Sequence, residues 1–316
     1  MNKKISNGAI CKEMTPVPTK PILNNKLRKY WLAFAIAVIS IALFFFLTPP
    51  TTFEWLKTEL SGENNIFYWM ILVGVGAEIV AGSMGMGYGV ICTTLLLLLN
   101  VPAISVSASI HSAETFTSAA GAISHYKYGN INLKLSKALS IPGAIGAIIG
   151  AVALIALHHK SPVFIKFAIS AYTFYLGVKI MQNAYRSGII EKKETNIPIL
   201  ALIGGFIDSF GGGGWGPLIT GTLIKNGETP RFTIGSSSLA KFVLTFASAF
   251  TFFVGGGFGH WRIIAGLLIG GVATAPLSAL LTTRLQTKKM FLVVGVVVIV
   301  CSLISISRVV LKIIAG

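Results

Sequence analysis

The sequence predicts an all-α polytopic membrane protein: two inverted repeats, each a broken, re-entrant helix hairpin plus three transmembrane helices, preceded by one extra N-terminal transmembrane helix. Three observations lead there. The chain is 53% hydrophobic and only 11% charged, with a mean hydropathy of +0.77, where soluble domains carry about 25% charged residues. Apolar runs of roughly 17 to 25 residues, the length that crosses a bilayer core, recur along it. Two such runs are interrupted by glycine-packed stretches, Gly82-Ser-Met-Gly-Met-Gly-Tyr-Gly89 and Gly211-Gly-Gly-Gly-Trp-Gly-Pro217, which repeat at a spacing of 127 residues from Gly87 to Gly214. Paired interruptions at matching positions of two halves point to a binding site at mid-membrane.

In chain order, residues 1–29 form a basic tail holding Lys3, Lys4, Lys12, Lys20, Lys26, Arg28 and Lys29, and residues 30–48 form the extra span. Its apolar core lies far from the start and ends in bulky Leu47-Thr-Pro-Pro50, so it reads as a retained helix and not a cleaved signal. Repeat 1 covers 66–181: the broken run Ile66–Leu99, then Ala103–Ser124, Ala138–Leu157 and Pro162–Met181. A polar cytoplasmic linker, 182–196, leads to repeat 2 at 197–311. There the broken run Ile197–Ile224 is followed by Thr233–Val254, Ile263–Leu281 and Met290–Val310.

Each broken run is either a kinked span that crosses or a pair of half-helices that returns to its own side. Lys and Arg decide, because short cytoplasmic loops collect positive charge. With the amino terminus in the cytoplasm, kinked spans would leave Lys127, Lys134, Lys137, Arg186, Lys192 and Lys193 outside. Hairpins bring all six inside with Lys225, Arg231, Arg284, Lys288 and Lys289, and leave little more than Lys57, Lys160 and Arg262 outside. A hairpin plus three spans reverses orientation from one unit to the next, which makes the halves an inverted pair. Glycines also permit tight helix packing. Two stretches in register, with aromatic Tyr88 and Trp215 at equivalent places, favour a site over packing alone.

The N–H groups of Gly87, Tyr88 and Gly89 and, opposite them, of Gly214, Trp215 and Gly216 would form a concave nest that suits an oxyanion. The span after the first break carries Ser107, His111, Glu114, Ser118, Gly121 and His125 on one helical face. A shift of 127 gives Ser238, Lys241, Thr245 and Ser248, so Glu114 and Lys241 are equivalent. A charge at mid-membrane costs about 2.5–3.5 kcal/mol on insertion scales, so both should face the protein interior. Either they form a structural pair, or they act in transport, with Lys241 and Ser238 holding an anion and Glu114 carrying a proton. Three roles are open to His111: proton relay, anion donor, or hydrogen-bonded bundle residue. Glu78 precedes the first break and Asp208 the second. Both are candidates for proton coupling, and Asp208 equally for capping the turn.

With these residues in view, the chain resembles the TauE/SafE family of membrane permeases (sulfite exporter / toluene-sulfonate uptake permeases) over about Ile66–Leu311. The motifs are Met84-Gly-Met-Gly-Tyr-Gly89, Ser107-Ala-Ser-Ile-His-Ser-Ala-Glu114, Ser124-His-Tyr-Lys-Tyr-Gly-Asn130, Asp208-Ser-Phe-Gly-Gly-Gly-Gly-Trp-Gly-Pro217 and Pro230-Arg-Phe-Thr-Ile-Gly-Ser236. The resemblance implies an internally duplicated permease that moves sulfite, organosulfonates or related sulfur anions across the bacterial cytoplasmic membrane, coupled to the proton gradient. Members with the GMGYG motif usually carry an acid just before the first break and another in the second stripe, where this chain has Ala81 and Lys241. Both changes remove negative charge from the expected site.

The expectation is therefore a secondary, proton-coupled transporter of small sulfur-containing oxyanions, working in export, multi-pass in the bacterial inner membrane with its amino terminus cytoplasmic. Its rivals are a passive anion channel lined by the same stripe and a membrane-embedded lipid-modifying enzyme, for which no loop offers a His-Asp or Ser-His-Asp arrangement. The partners would be the anion, protons and the lipid bilayer, with self-association as a homo-oligomer left open. The net charge of +16 does not indicate nucleic acid, because the basic residues are scattered between apolar runs and crowded at the amino terminus. Cys11, Cys92 and Cys301 are too dispersed for a disulfide framework or a metal site. No metal and no cofactor is expected, and no nucleotide-phosphate loop occurs.

Overall fold

In a solvent that offers no hydrogen bonds the backbone must satisfy itself, and among the described residues the chain is helical with no strand. The computed structural model describes residues 66–84, 86–184, 194–256, 261–281 and 287–315. The basic tail 1–29, the extra span 30–48 and most of the linker 182–196 lie outside them. The first broken run forms α1 (Ile66–Met84) and α2 (Tyr88–Leu98). Helices α3 (Ala103–Lys127), α4 (Leu133–Lys160) and α5 (Pro162–Ala184) follow. The second broken run forms α6 (Ile197–Gly211), a single π turn (Gly216–Thr220) and α7 (Gly221–Lys225), followed by α8 (Pro230–Gly256), α9 (Trp261–Leu281) and α10 (Thr287–Ala315).

Four stretches, Leu133–His158, Pro162–Gln182, Pro230–Gly255 and Leu292–Ile314, are long and apolar enough to cross a bilayer. Large apolar side chains such as Ile141, Val152, Phe246 and Phe250 face outward, a surface suited to lipid and not to water. Short polar signals set the helix ends. Asn132 accepts from Lys134 N and Leu135 N at 3.0 and 3.2 Å to start α4, and Asn196 caps α6 through Ile199 N at 3.4 Å. Pro162 and Pro230 open α5 and α8, where a missing N–H costs nothing. Asn100, with φ of 62°, follows the end of α2, since asparagine tolerates the left-handed region.

Two pairs of long helices pack antiparallel, α3 with α8 and α5 with α10. Along α3 and α8, His111 stacks on Phe252 at 6.2 Å, Ser118 Oγ meets Thr245 Oγ1 at 3.5 Å, and Gly235 abuts Asn130. As the residue number climbs on one helix it falls on the other. The pair α5 and α10 follows the same rule through Ser170–Ser305 at 2.8 Å and Thr173–Ser302 at 2.9 Å. Glycines bring α4 against α6 and α1 against α9 until backbones touch: a Cβ on Gly146 would overlap the Leu202 carbonyl, one on Gly205 the Gly143 carbonyl, and one on Gly74 would lie 2.7 Å from Leu267 O.

Each broken run begins and ends at one end of the bundle. Asn226 Nδ2 donates to Thr195 Oγ1 at 2.8 Å, so the segment from α6 to α7 leaves at the end where it entered. Arg231, at the start of α8, bonds Asn130 and the Tyr128 carbonyl after α3, which marks the same rim. At the opposite rim, Arg308 Nη1 donates to Leu98 O at 2.9 Å and Lys166 Nζ to Asn100 Oδ1 at 2.7 Å, which fixes the end of α2. The start of α1 lies there too, because Gly266, near the start of α9, abuts Phe67 and Met70.

The close α4–α6 crossing is testable. Replacing Gly205 by alanine should lower the thermal unfolding midpoint of the purified protein in detergent, as overpacking costs about 1–3 kcal/mol. Gly121→Ala, where the added methyl meets nothing within 4 Å, should leave the midpoint unchanged or raise it.

Candidate functional site

At the second break the helix stops because three consecutive glycines adopt positive φ: 72° at Gly212, 152° at Gly213 and 146° at Gly214. Only glycine takes up such a run without strain. Several of the groups freed by the break are satisfied by protein. Asp208 O accepts from Gly213 N at 2.9 Å, and Asp208 Oδ1 accepts from Trp215 N at 2.6 Å, so one residue ties the end of α6 to the start of the returning half-helix. Thr93 Oγ1 of α2 donates to Gly212 O at 2.5 Å, and Tyr172 OH of α5 donates to Gly213 O at 3.0 Å. Leu218 N closes on Gly214 O at 2.9 Å.

At the first break Gly87, with φ of 111°, starts α2. The backbone of Gly89 lies directly against the second tip: a Cβ there would sit 2.7 Å from Gly213 Cα and 3.4 Å from Glu114 Oε1. The two tips thus touch glycine to glycine. Their aromatic residues point away from the contact and anchor each tip in the surrounding bundle. Tyr88 OH donates to Leu267 O at 3.1 Å beside Gly271. Trp215 Nε1 donates to Ser237 Oγ at 2.8 Å, its ring lying over Gly143. The Trp215 N–H is taken by Asp208, which subtracts one donor from the nest that the glycine spacing suggested.

The polar stripe converges on the same place. Lys241 Nζ donates to Glu114 Oε1 at 2.6 Å, with the side chain of Glu114 1% exposed and that of Lys241 17%. Glu78, also buried, lies within electrostatic reach of both. His111 Nε2 sits 3.2 Å from the backbone oxygen of Asp208, and its Nδ1 lies 3.8 Å from Glu114 Oε2 and 4.0 Å from Asp208 Oδ2. Those three atoms are buried without a hydrogen-bond partner. Gly214 and Gly216 border the site through the second tip. Ser238 is only partly buried and spends its hydroxyl on Ile234 O at 2.9 Å within its own helix, and Ser248 bonds Ser209 of α6 at 2.6 Å.

Thr93, Tyr172 and Ser237 hold the tips and were not singled out by pattern. Ser237 lies one position off the stripe, and Tyr172 sits on a helix whose polar residues follow no site-like spacing. Thr93 carried a usable signal: with Thr94 it is a polar pair within the apolar run of α2, and both are buried.

The sequence profile described as "Sulfite exporter TauE/SafE" matches residues 70–304. Two proteins of Bacillus subtilis (strain 168) are similar to the chain. The "Probable membrane transporter protein YtnM" is 33% identical over 234 residues, 71% of this chain and 77% of YtnM. The "Probable membrane transporter protein YjnA" is 24% identical over 252 residues, 74% of this chain and 97% of YjnA. No solved structure matches the chain significantly.

Removing one member of a buried ion pair costs about 3–5 kcal/mol because the partner charge is stranded. Lys241→Gln should therefore destabilise the protein strongly, and the double variant Glu114→Gln/Lys241→Gln should recover most of the loss. Unfolding midpoints for the two single variants and the double variant give the coupling; additive losses would mean that the pair contributes nothing.

Proposed function

The chain belongs to the sulfite exporter TauE/SafE family and is a multi-pass membrane transporter; from that premise we propose that it carries small sulfur-containing oxyanions, such as sulfite or organosulfonates, by proton-coupled secondary transport in the direction of export. The observation that carries this reading is the contact of two re-entrant tips, Gly89 on Gly213, beside the buried Lys241–Glu114 pair. Half-helix ends and a cation at one buried point are what an anion carrier needs.

The repeats are 66–181 and 197–311, related by an inverted two-fold. Support comes from pairs that lie 127 residues apart in sequence and yet touch, Glu114–Lys241 and Ser118–Thr245. When repeat-equivalent residues of antiparallel helices meet each other, they lie on the axis that relates the halves. The anchors follow the same rule: Tyr88 is bordered by Thr117 and Gly271, which all converge there, while Trp215 lies against Leu244 and Gly143. Thr117 and Leu244 are again 127 apart.

The ion pair supplies a coupling mechanism. With Glu114 ionised, Lys241 is occupied. A proton on Glu114 breaks the pair and frees the ammonium for an oxyanion, with backbone donors of Gly87, Tyr88, Gly89, Gly214 and Gly216 completing the site. His111 passes the proton to and from Glu114, while Glu78 and Asp208 keep the surroundings acidic. Rocking of one half against the other then exposes the loaded site to each side in turn. On this reading the amino terminus is cytoplasmic and the membrane is the bacterial inner membrane.

Inverted vesicles under an imposed pH gradient, supplied with sulfite, thiosulfate, sulfoacetate, taurine and sulfate, test the reading. Saturable uptake of one or more sulfur anions that collapses with the gradient is expected. Lys241→Gln should abolish flux in protein that still elutes as folded, and Glu114→Gln should retain anion flux without proton movement. Wild-type flux in both variants would reduce the stripe to packing, and uncoupled, non-saturating current would mean a channel.

A further inference from the structure

The neutral tautomer of His111 is fixed by its neighbour. A backbone carbonyl only accepts, so the 3.2 Å contact from Nε2 to Asp208 O assigns the hydrogen to Nε2 and leaves a lone pair on Nδ1. That lone pair faces Glu114 Oε2 at 3.8 Å and Asp208 Oδ2 at 4.0 Å. All three are acceptors, none has a hydrogen-bond partner, and the side chains are 0%, 1% and 0% exposed. The other oxygen of each carboxylate is already engaged, by Lys241 Nζ and by Trp215 N. Three lone-pair donors turned toward one another in a dry interior repel unless something positive lies between them.

We propose that this cluster binds a sodium-sized monovalent metal cation, held by His111 Nδ1, Glu114 Oε2 and Asp208 Oδ2. Charge and size bear on the choice. With Glu114 and Asp208 both ionised, two carboxylates face the single ammonium of Lys241, which leaves room for one further positive charge. Ligand atoms spaced 3.8, 4.0 and up to 4.8 Å apart leave a centre about 2.4 Å from each, beyond the roughly 2.0–2.2 Å of zinc and magnesium. Calcium fits that distance too, but two carboxylates beside one paired ammonium leave a single negative charge to balance, which suits a monovalent ion.

His111 and Glu114 come from the first half and Asp208 from the second, so an ion here would join the two. The site rests on the transporter reading only for its role in coupling, where the metal cation would compete with the proton assigned to Glu114. Binding itself is independent of what the protein carries.

The test reads binding without transport. The purified full chain in detergent is titrated with sodium chloride against choline chloride and potassium chloride at constant ionic strength, and the unfolding midpoint is followed. A ligand that binds only the folded state raises that midpoint with its concentration. Sodium is expected to give a concentration-dependent rise absent in choline and weaker in potassium, reduced at lower pH by competing protons. Asp208→Asn, which keeps an oxygen for Trp215 N, and Glu114→Gln should each weaken sodium binding by at least about tenfold, a change of roughly 1.4 kcal/mol. Identical curves in sodium, potassium and choline for the wild type would overturn the proposal without needing any variant. So would a response confined to zinc or manganese, or a sodium response that survives both substitutions. Failure of sulfur-anion flux beside a sodium response would sink the substrate and leave this site; flux without a sodium response would do the reverse.

Discussion

A helix broken at membrane depth leaves backbone N–H and C=O groups that lipid cannot satisfy, at several kcal/mol each in hydrocarbon. The other features of this protein follow from where those groups find partners. Thr93 reaches the second break from α2, Tyr172 reaches it from α5, and Asp208 bridges it from within. The second hairpin is therefore held by elements of the first half as well as its own, and two of the carbonyls freed at its break are satisfied across the sequence divide. The glycines have a matching geometric role. A side chain at position 89 or 213 would hold the tips apart, and separated tips would open their backbone to the membrane core.

This constraint also explains the burial of charge. A lone lysine or glutamate between α3 and α8 would be costly, but side by side they neutralise each other at 2.6 Å. The surrounding hydroxyls mostly bond back to their own helices, as Thr245 does to Lys241 O and Thr115 to His111 O. Helices α3 and α8 thus carry polar side chains through the interior without opening their own ladders. The unsatisfied atoms are concentrated on His111, Glu114 and Asp208, with Ser107 and Ser109 on the same helix as the first two.

Much of this was legible in the sequence. The apolar runs gave the helices, and positive charge near Lys127, Lys134, Lys137, Lys225 and Arg231 argued that the broken runs return to their own side. The spacing of 127 nominated Glu114 and Lys241 together before any distance between them was known. What the pattern could not give was the direction in which a group points. The Trp215 N–H looked open from its place in a glycine stretch, yet a carboxylate seven residues earlier fills it, because chain reversal at three positive-φ glycines brings position 208 back over position 215. Tyr172 and Ser237 were illegible for a related reason: their partners lie on other helices, and neither sits on a face that periodicity marks as polar. Nor does sequence spacing reveal which oxygen of a buried carboxylate is spoken for and which is not.

Opposite charges at Glu114 and Lys241 carry one more consequence. In an ideally duplicated carrier the inward-open and outward-open forms are images of each other and so equal in energy, and only the gradients on the two sides choose between them. An acid on one half facing a base on the other removes that degeneracy. On the proposed mechanism the two forms then differ in energy, and the empty protein has a preferred resting orientation written into a single pair of side chains.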